Sequence, residues 1–304
     1  MKAWSIIAVL ITCIVSFFLL RIDSQSEQGI LNTISMEKSE ASNGKDGNNL
    51  INTKEEQHVE IRSSEELAEE KSEVVTTSPL PPADIETAAE SFIIVIDPGH
   101  QAKANIEQEP IGPGAKETKY KVSGGTTGAV TKHPEYVLTL EASNLLKSYL
   151  ENRGFQVILT RTSHDVNISN RERAEIANKN DADLFVRIHA DGSESPETSG
   201  FSILIPAKEN AYTAPVYEDS YRAARMVLTH ISKEIPLHQN GIFFRHDMTG
   251  FNWSKVPVIL PEIGFMTNPE EDKKLSDDVY LANLMELLAS GIEEYAIFKQ
   301  KQKN

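Results

Sequence analysis

A single cysteine, Cys13, among 304 residues excludes a disulfide framework and any cysteine-based zinc cluster, so a bound metal would have to be held by His and carboxylates. Basic residues are also scarce, 30 Lys and Arg against 45 Asp and Glu, a formal net charge of −15. A protein that coats nucleic acid or an anionic lipid surface needs a basic footprint, and this chain lacks one. No internal repeat is evident, and aromatics make up only 7% of the residues. What remains is long enough for one large domain or two small ones.

The apolar and charged residues are unevenly spread. Residues 3–20 (AWSIIAVLITCIVSFFLL) carry no charge and are flanked by Lys2 and Arg21. Such a run spans about 27 Å as a helix, enough for a bilayer core. No A-x-A-like cleavage site follows in LLRIDSQSEQ, so residues 1–21 are expected to form an uncleaved signal anchor, with a cleaved signal peptide as the alternative. Residues 22–91 hold 16 acidic and 5 basic side chains, no hydrophobic period, and a Pro79-Leu80-Pro81-Pro82 stop. This composition cannot bury enough surface to offset chain entropy, which predicts a disordered acidic tether over 22–90. Either reading of the first segment sends the rest of the chain outside the cytoplasm.

A folded domain is expected over 91–299, leaving 300–304 as a tail. FIIVI (92–96) is a continuously apolar run of the kind a strand buried on both faces requires. Residues 155–160, 184–188, 201–205 and 256–260 are further strand candidates, and helical patterns run over 134–152, 171–180, 216–233 and 278–297. Strands alternating with helices imply a single layered α/β domain, its mainly parallel central sheet flanked by helices. Residues 206–255 are accounted for by one amphipathic helix and loops, and 100–135, with its five glycines, by a long loop.

Sites in such sheets collect at the carboxyl ends of strands. Asp97-Pro98-Gly99-His100 directly follows FIIVI, His189 ends LFVRI, and Glu262 follows VPVIL and Pro261. Pro261 is expected to end its strand early. Glu135 is placed by helical spacing: Leu138, Ala142, Leu145 and Tyr149 share its face, the one that should pack on the sheet. A carboxylate removed from water is costly unless paired or metal-bound. An isolated histidine at a strand end is usually structural, and Glu135 by itself also suits a helix-dipole role. Together, His100, Glu135 and His189 make a His₂Glu set, the zinc-hydrolase type, and Glu262 suits the proton shuttle such a site needs. His133 is the rival ligand, but its place at a helix boundary suggests surface capping. His246, near Trp253, is a candidate for the cleft rim.

IIVIDPGH (93–100), PEYVLTLEASNLLKSYLENRGFQVILTRT (134–162), NRERAEIANKNDADLFVRIHADG (170–192) and VPVILPEIGFMTNPEED (256–272) carry a resemblance. The chain is similar to the zinc-dependent N-acetylmuramoyl-L-alanine amidases of the bacterial cell-wall hydrolase family called amidase type 3. The resemblance covers about 92–298 and implies one Zn2+ held by His100, Glu135 and His189, with Glu262 as the catalytic acid/base. It implies peptidoglycan as the partner, a monomeric catalytic domain, and cleavage of the amide between N-acetylmuramic acid and L-alanine. Arg161 and Arg171 resemble recurring positions that orient carboxylates or bind the peptide; a structural ion pair is the favoured reading. The chain departs from the common His-Gly-Gly continuation, reading His100-Gln101-Ala102-Lys103, which bears on cleft shape and substrate preference. Another zinc-dependent wall peptidase or deacetylase would use the same chemistry. A non-catalytic wall-binding regulator would typically lack one of the four site residues.

Overall fold

The computed structural model describes residues 92–303. The expected anchor at 1–21 and tether at 22–90 lie outside the described residues. In chain order the elements are β1 (Ile93–Pro98), β2 (Asn105–Pro110), β3 (Thr118–Val122), α1 (Glu135–Asn152), β4 (Gln156–Leu159), α2 (Asn170–Lys179), β5 (Leu184–Asp191) and β6 (Phe201–Pro206). There follow α3 (Tyr217–Ile231), β7 (Leu237–Arg245), the short α4 (Thr249–Asn252), β8 (Val258–Phe265), α5 (Pro269–Leu275) and α6 (Asp278–Lys303). A six-stranded sheet has the order β4-β1-β5-β8-β6-β7, and β2 and β3 form a separate two-stranded hairpin. All neighbours in the large sheet are parallel except β8 and β6. This is the expected mainly parallel α/β sandwich.

The central strands are apolar because both of their faces are covered. Ile94 and Ile96 point into one cluster with Leu138, Leu146 and Leu150 of α1, Val227 of α3 and Leu288 of α6. Val95, Phe185, Val258 and Leu260 point the other way, against Ala174 and Ala177 of α2 and Phe251 of α4. Each fully buried Val, Leu, Ile or Phe among them contributes roughly 1.5–3 kcal/mol, the alanines less. Helix α1 stops where the sequence says it should, Gly154 taking φ 83° two residues beyond Asn152. Helix α2 starts on a capping box, the Ser169 hydroxyl accepting from the Glu172 amide while the Glu172 side chain accepts from the Ser169 amide. No helix among the described residues is long and apolar enough to cross a membrane.

Three expectations need correction. Pro261 does not end its strand: β8 continues to Phe265, with Pro261 opposite Ile203 of β6. Proline removes one ladder donor, but β5 and β6 hold β8 from both sides, so a single missing bond does not break it. The 206–255 stretch contains more than one helix and loops, because Leu237–Arg245 forms edge strand β7 and 249–252 a helical turn. The long glycine-containing stretch before Glu135 is not merely a loop but carries the β2–β3 hairpin.

Candidate active site

The chain leaves β1 in one direction, through α1 to β4, and later returns on its other side as β5. That reversal opens a crevice at the carboxyl ends of β1 and β5. His100 leaves β1 at this edge, His189 lies near the end of β5, and Glu262 sits in register with His189 on β8. Glu135, the first residue of α1, comes in above them. His100 Nε2 lies 3.1 Å and His189 Nδ1 3.2 Å from the same oxygen, Glu135 Oε1. The two imidazoles meet edge to face, 4.8 Å between centroids. One nitrogen or oxygen donor from each of these three residues falls within 4.8 Å of the others.

The loop that delivers His100 is held by buried guanidinium groups. Arg161 donates to the Pro98 and Gly99 carbonyls, and also to the Tyr136 carbonyl and Thr139 hydroxyl of α1. Arg173 donates to the Pro98 and His100 carbonyls and to Asp97 Oδ1. Arg187 completes the set at Asp97 Oδ2, 2.9 Å away. Burial would raise the Asp97 pKa, but Arg173 and Arg187 overcome it and hold the carboxyl well below the usual range. Clamped in this way, His100 adopts φ 59°, a left-handed conformation uncommon outside glycine. Gly99 is there for a different reason: a Cβ on it would lie 2.6 Å from Cε1 of His189. Gly99→Ala must therefore push the His189 ring aside. A loss of metal affinity of about tenfold or more is expected, the scale on which disturbing a ligand's support acts, and chelator competition measures it.

The ligand-type side chains have fixed orientations. His100 Nδ1 faces the Ser123 carbonyl at 3.0 Å, which leaves Nε2 turned toward Glu135 and His189 and available to a metal. Glu135 Oε2 accepts from the Thr126 amide at 2.7 Å and Oε1 from the Ala190 amide at 3.1 Å. Burial works against its ionisation, but the bonds to His100 and His189 prevail and keep its pKa low. Burial pushes the His189 pKa down to about 4, so the ring is neutral at pH 7, the form that offers a lone pair to a metal. For His100, burial opposes protonation but Glu135 outweighs it and raises the pKa. Buried His189 Nε2 has no hydrogen-bond partner. An orphaned imidazole nitrogen beside a second imidazole and an ionised carboxylate fits a divalent cation, and the donor set suits zinc.

Glu262 behaves differently. It is buried, its Oε2 has no partner, and burial first, then the charges of Asp191 and Glu135, raise its pKa well above the usual value. Arg245 and Arg187 oppose the rise without cancelling it. Two carboxylates, one opening helix α1 and one on strand β8, are thus driven in opposite directions.

The remaining sequence candidates sort clearly. Arg161 is buried and pairs with carbonyls rather than a carboxylate, burial and the neighbouring Arg173 lowering its pKa to about 10. Arg171 lies on the outer face of α2, bonded to Glu175 at 2.7 Å and stacked 4.1 Å over Trp253. His133 does not cap α1; its Nε2 sits 3.5 Å from Glu141 Oε2. His246 is not among the residues that line the cleft between β3, β7 and α4; Asp247 and Met248 are. Sequence reasoning missed Arg173, Arg187 and Asp272. The last is buried and accepts from the amides of Val130 and Thr131 and from the Thr131 hydroxyl, fixing the turn that leads into Glu135.

Comparison with known proteins agrees with this geometry. The family model described as N-acetylmuramoyl-L-alanine amidase matches residues 94–294. The Escherichia coli N-acetylmuramoyl-L-alanine amidase AmiA is 27% identical over 249 residues, covering 69% of this chain and 78% of that protein. The germination-specific N-acetylmuramoyl-L-alanine amidase of Bacillus subtilis is 27% identical over 219 residues, 67% of this chain and 79% of that protein. Among solved structures, the amidase Ami1 of Mycobacterium smegmatis superposes with a TM-score of 0.63 at 25% identity, covering 69% of this chain and 99% of that one. With its sheet edge, its three clustered donors and its matched span in agreement, the chain belongs to the N-acetylmuramoyl-L-alanine amidase family.

Proposed function

We propose that this protein hydrolyses the amide bond between the lactyl group of N-acetylmuramic acid and the L-alanine of peptidoglycan stem peptides. The observation that carries the reading is the convergence of His100, Glu135 and His189 at one sheet edge, with Glu262 in register beside them. His100, Glu135 and His189 are the proposed ligands of one Zn2+. Bound there, the ion would polarise the scissile carbonyl and lower the pKa of a water toward about 7. Glu262 takes a proton from the attacking water and delivers it to the alanine nitrogen as the C–N bond breaks and a C–O bond forms. The products are a free lactyl carboxylate and a new amino terminus. Neutral His189 and ionised Glu135 supply lone pairs, while Glu262, its proton affinity raised by burial, is suited to exchange a proton with the attacking water.

The setting follows from the substrate: the catalytic domain works outside the cytoplasm, where peptidoglycan lies. In the same proposal, residues 3–20 anchor the chain in the cell membrane and 22–90 act as an acidic tether with a reach of about 45–50 Å. The catalytic domain is proposed to act as a monomer.

Two measurements test the ligand and reaction assignments separately. His189→Ala is expected to lose stoichiometric zinc, read by metal analysis of purified protein; retention of one tight ion per chain would refute the ligand set. Mass spectrometry of digested muropeptides should reveal peptides beginning with L-alanine and no new reducing sugar. A peptidase or deacetylase would instead cut within the peptide or release acetate.

A further inference from the structure

Two hollows share Arg245, whose charge acts on Glu262, and their linings differ in chemistry. One, of about 390 Å³, is lined by His238, Phe243, Phe244 and Phe265 together with Asp191 and Ser202, the last in register with Glu262. The other, of about 290 Å³, is lined by Lys119, Ser123, Arg187, Arg245 and Asp247. Arg245 lines both. The second hollow is linked to the metal-type triad through one lining residue, Ser123, whose carbonyl holds the outer ring nitrogen of His100. Its cations outnumber its anion. Arg187 is committed to Asp97 and Asn170, but Lys119 and Arg245 share one acid. Asp247 Oδ2 faces Lys119 Nζ at 2.8 Å and an Arg245 nitrogen at 3.0 Å, and Oδ1 faces Arg245 Nε at 2.8 Å. Lys119 and Arg245 remain about two-fifths exposed, so both can turn further donors to a ligand.

Resting on the amidase reading, we infer that Arg245 and Lys119 form a subsite for a carboxylate of the stem peptide, one or two residues beyond the scissile amide. The peptide side of the substrate then lies over the β3 hairpin strand and the α4 turn, and the muramyl side over the aromatic hollow. A peptide residue spans about 3.3–3.6 Å, so a cavity whose lining includes Ser123, the partner of His100, and Arg245, whose charge reaches Glu262, takes the nearest carboxylates of the leaving peptide. A guanidinium beside an ammonium matches a carboxylate in charge and hydrogen-bond count. The aromatic rings offer flat apolar faces to a sugar instead.

The test uses muramyl-peptides in four forms: unmodified, amidated on the carboxylate of the second residue, amidated on that of the third, or on both. The wild-type chain should prefer the form bearing the recognised carboxylate over its amide by about tenfold or more in kcat/KM, mostly through KM, as loss of a charge-assisted bond implies. Arg245→Met should bring that ratio close to one, and Lys119→Met should reduce it partly. Asp247→Asn, which removes the internal competitor while keeping the shape, should raise the ratio. The first pair of arms identifies which carboxylate is read. Equal kcat/KM for all four substrates in the wild-type chain, or an unchanged ratio in Arg245→Met, overturns the subsite. Failure of the amidase reading looks different, because no substrate would then yield an L-alanine amino terminus.

Discussion

Glu262→Gln will reduce kcat on muropeptides by at least about a hundredfold, within the range of 10²–10⁴ ascribed to a positioned proton shuttle. Glutamine has nearly the same shape but cannot carry a proton between water and the leaving nitrogen. The substitution is also gentle on the fold. Glu262 is buried with one oxygen unpartnered, and burial together with Asp191 and Glu135 already favours its neutral form. A neutral amide at this place therefore costs the structure little. The variant should bind zinc in full and unfold at or slightly above the wild-type temperature. Calorimetry, metal analysis and a turnover assay on one preparation separate these effects. Undiminished turnover would remove Glu262 from the mechanism and leave the proton transfer to another group.

The largest stability effect is expected at Asp97. Its carboxylate is fully buried and is the counterion of both Arg173 and Arg187, with a further bond from the Thr160 hydroxyl. Asp97→Asn leaves two buried cations against a neutral amide. Removing one partner of a buried pair typically costs about 3–5 kcal/mol, and for a domain of this size that lowers Tm by roughly 6–20 °C. The damage reaches the site, because Arg173 also holds the carbonyls of Pro98 and His100. Metal affinity should fall together with Tm. The sign of the pH dependence follows from the depressed pKa: the contribution of Asp97 is complete above its unfolded value of about 4 and is lost as pH falls toward the lower folded value. Between pH 6 and pH 3 the stability gap between wild type and Asp97→Asn should narrow. Urea melts across that interval measure it, and a gap that widens with acid would contradict the assignment.

Much of this site is legible in the amino-acid sequence. FIIVI, LFVRI and VPVIL announced strands buried on both faces, and their carboxyl ends named His100, His189 and Glu262. Helical spacing alone put Glu135 on the buried face of α1, where it is 3% exposed. The hairpin strands NIEQEP and TKYKV escaped notice because they are polar, largely exposed and paired only with each other. Strand β7 was hidden by its edge position and by Gln239 and Gly241, both at positive φ, which interrupt the regular alternation. Its one signal was the apolar triplet Ile242-Phe243-Phe244. Arg173 and Arg187 could not be found by spacing, since their partner Asp97 lies 76 and 90 residues away. A charge in a short polar helix or inside an apolar strand has a specific role only once the fold supplies its counterion.

The β2–β3 hairpin lies between two of the three donors, and the segment leading from it into α1 is tied to both. Ser123, just past β3, accepts from His100, and the Thr126 amide donates to Glu135. Its outer part, meanwhile, contributes Lys119 and Tyr120 to the cleft wall. One short ribbon thus serves two places at once: its stem holds donors of the triad, and the side chains of β3 face the cleft. Exchanging that one ribbon would recast the Lys119 and Tyr120 side of the cleft while Arg245 on β7 and the three clustered donors stay in place.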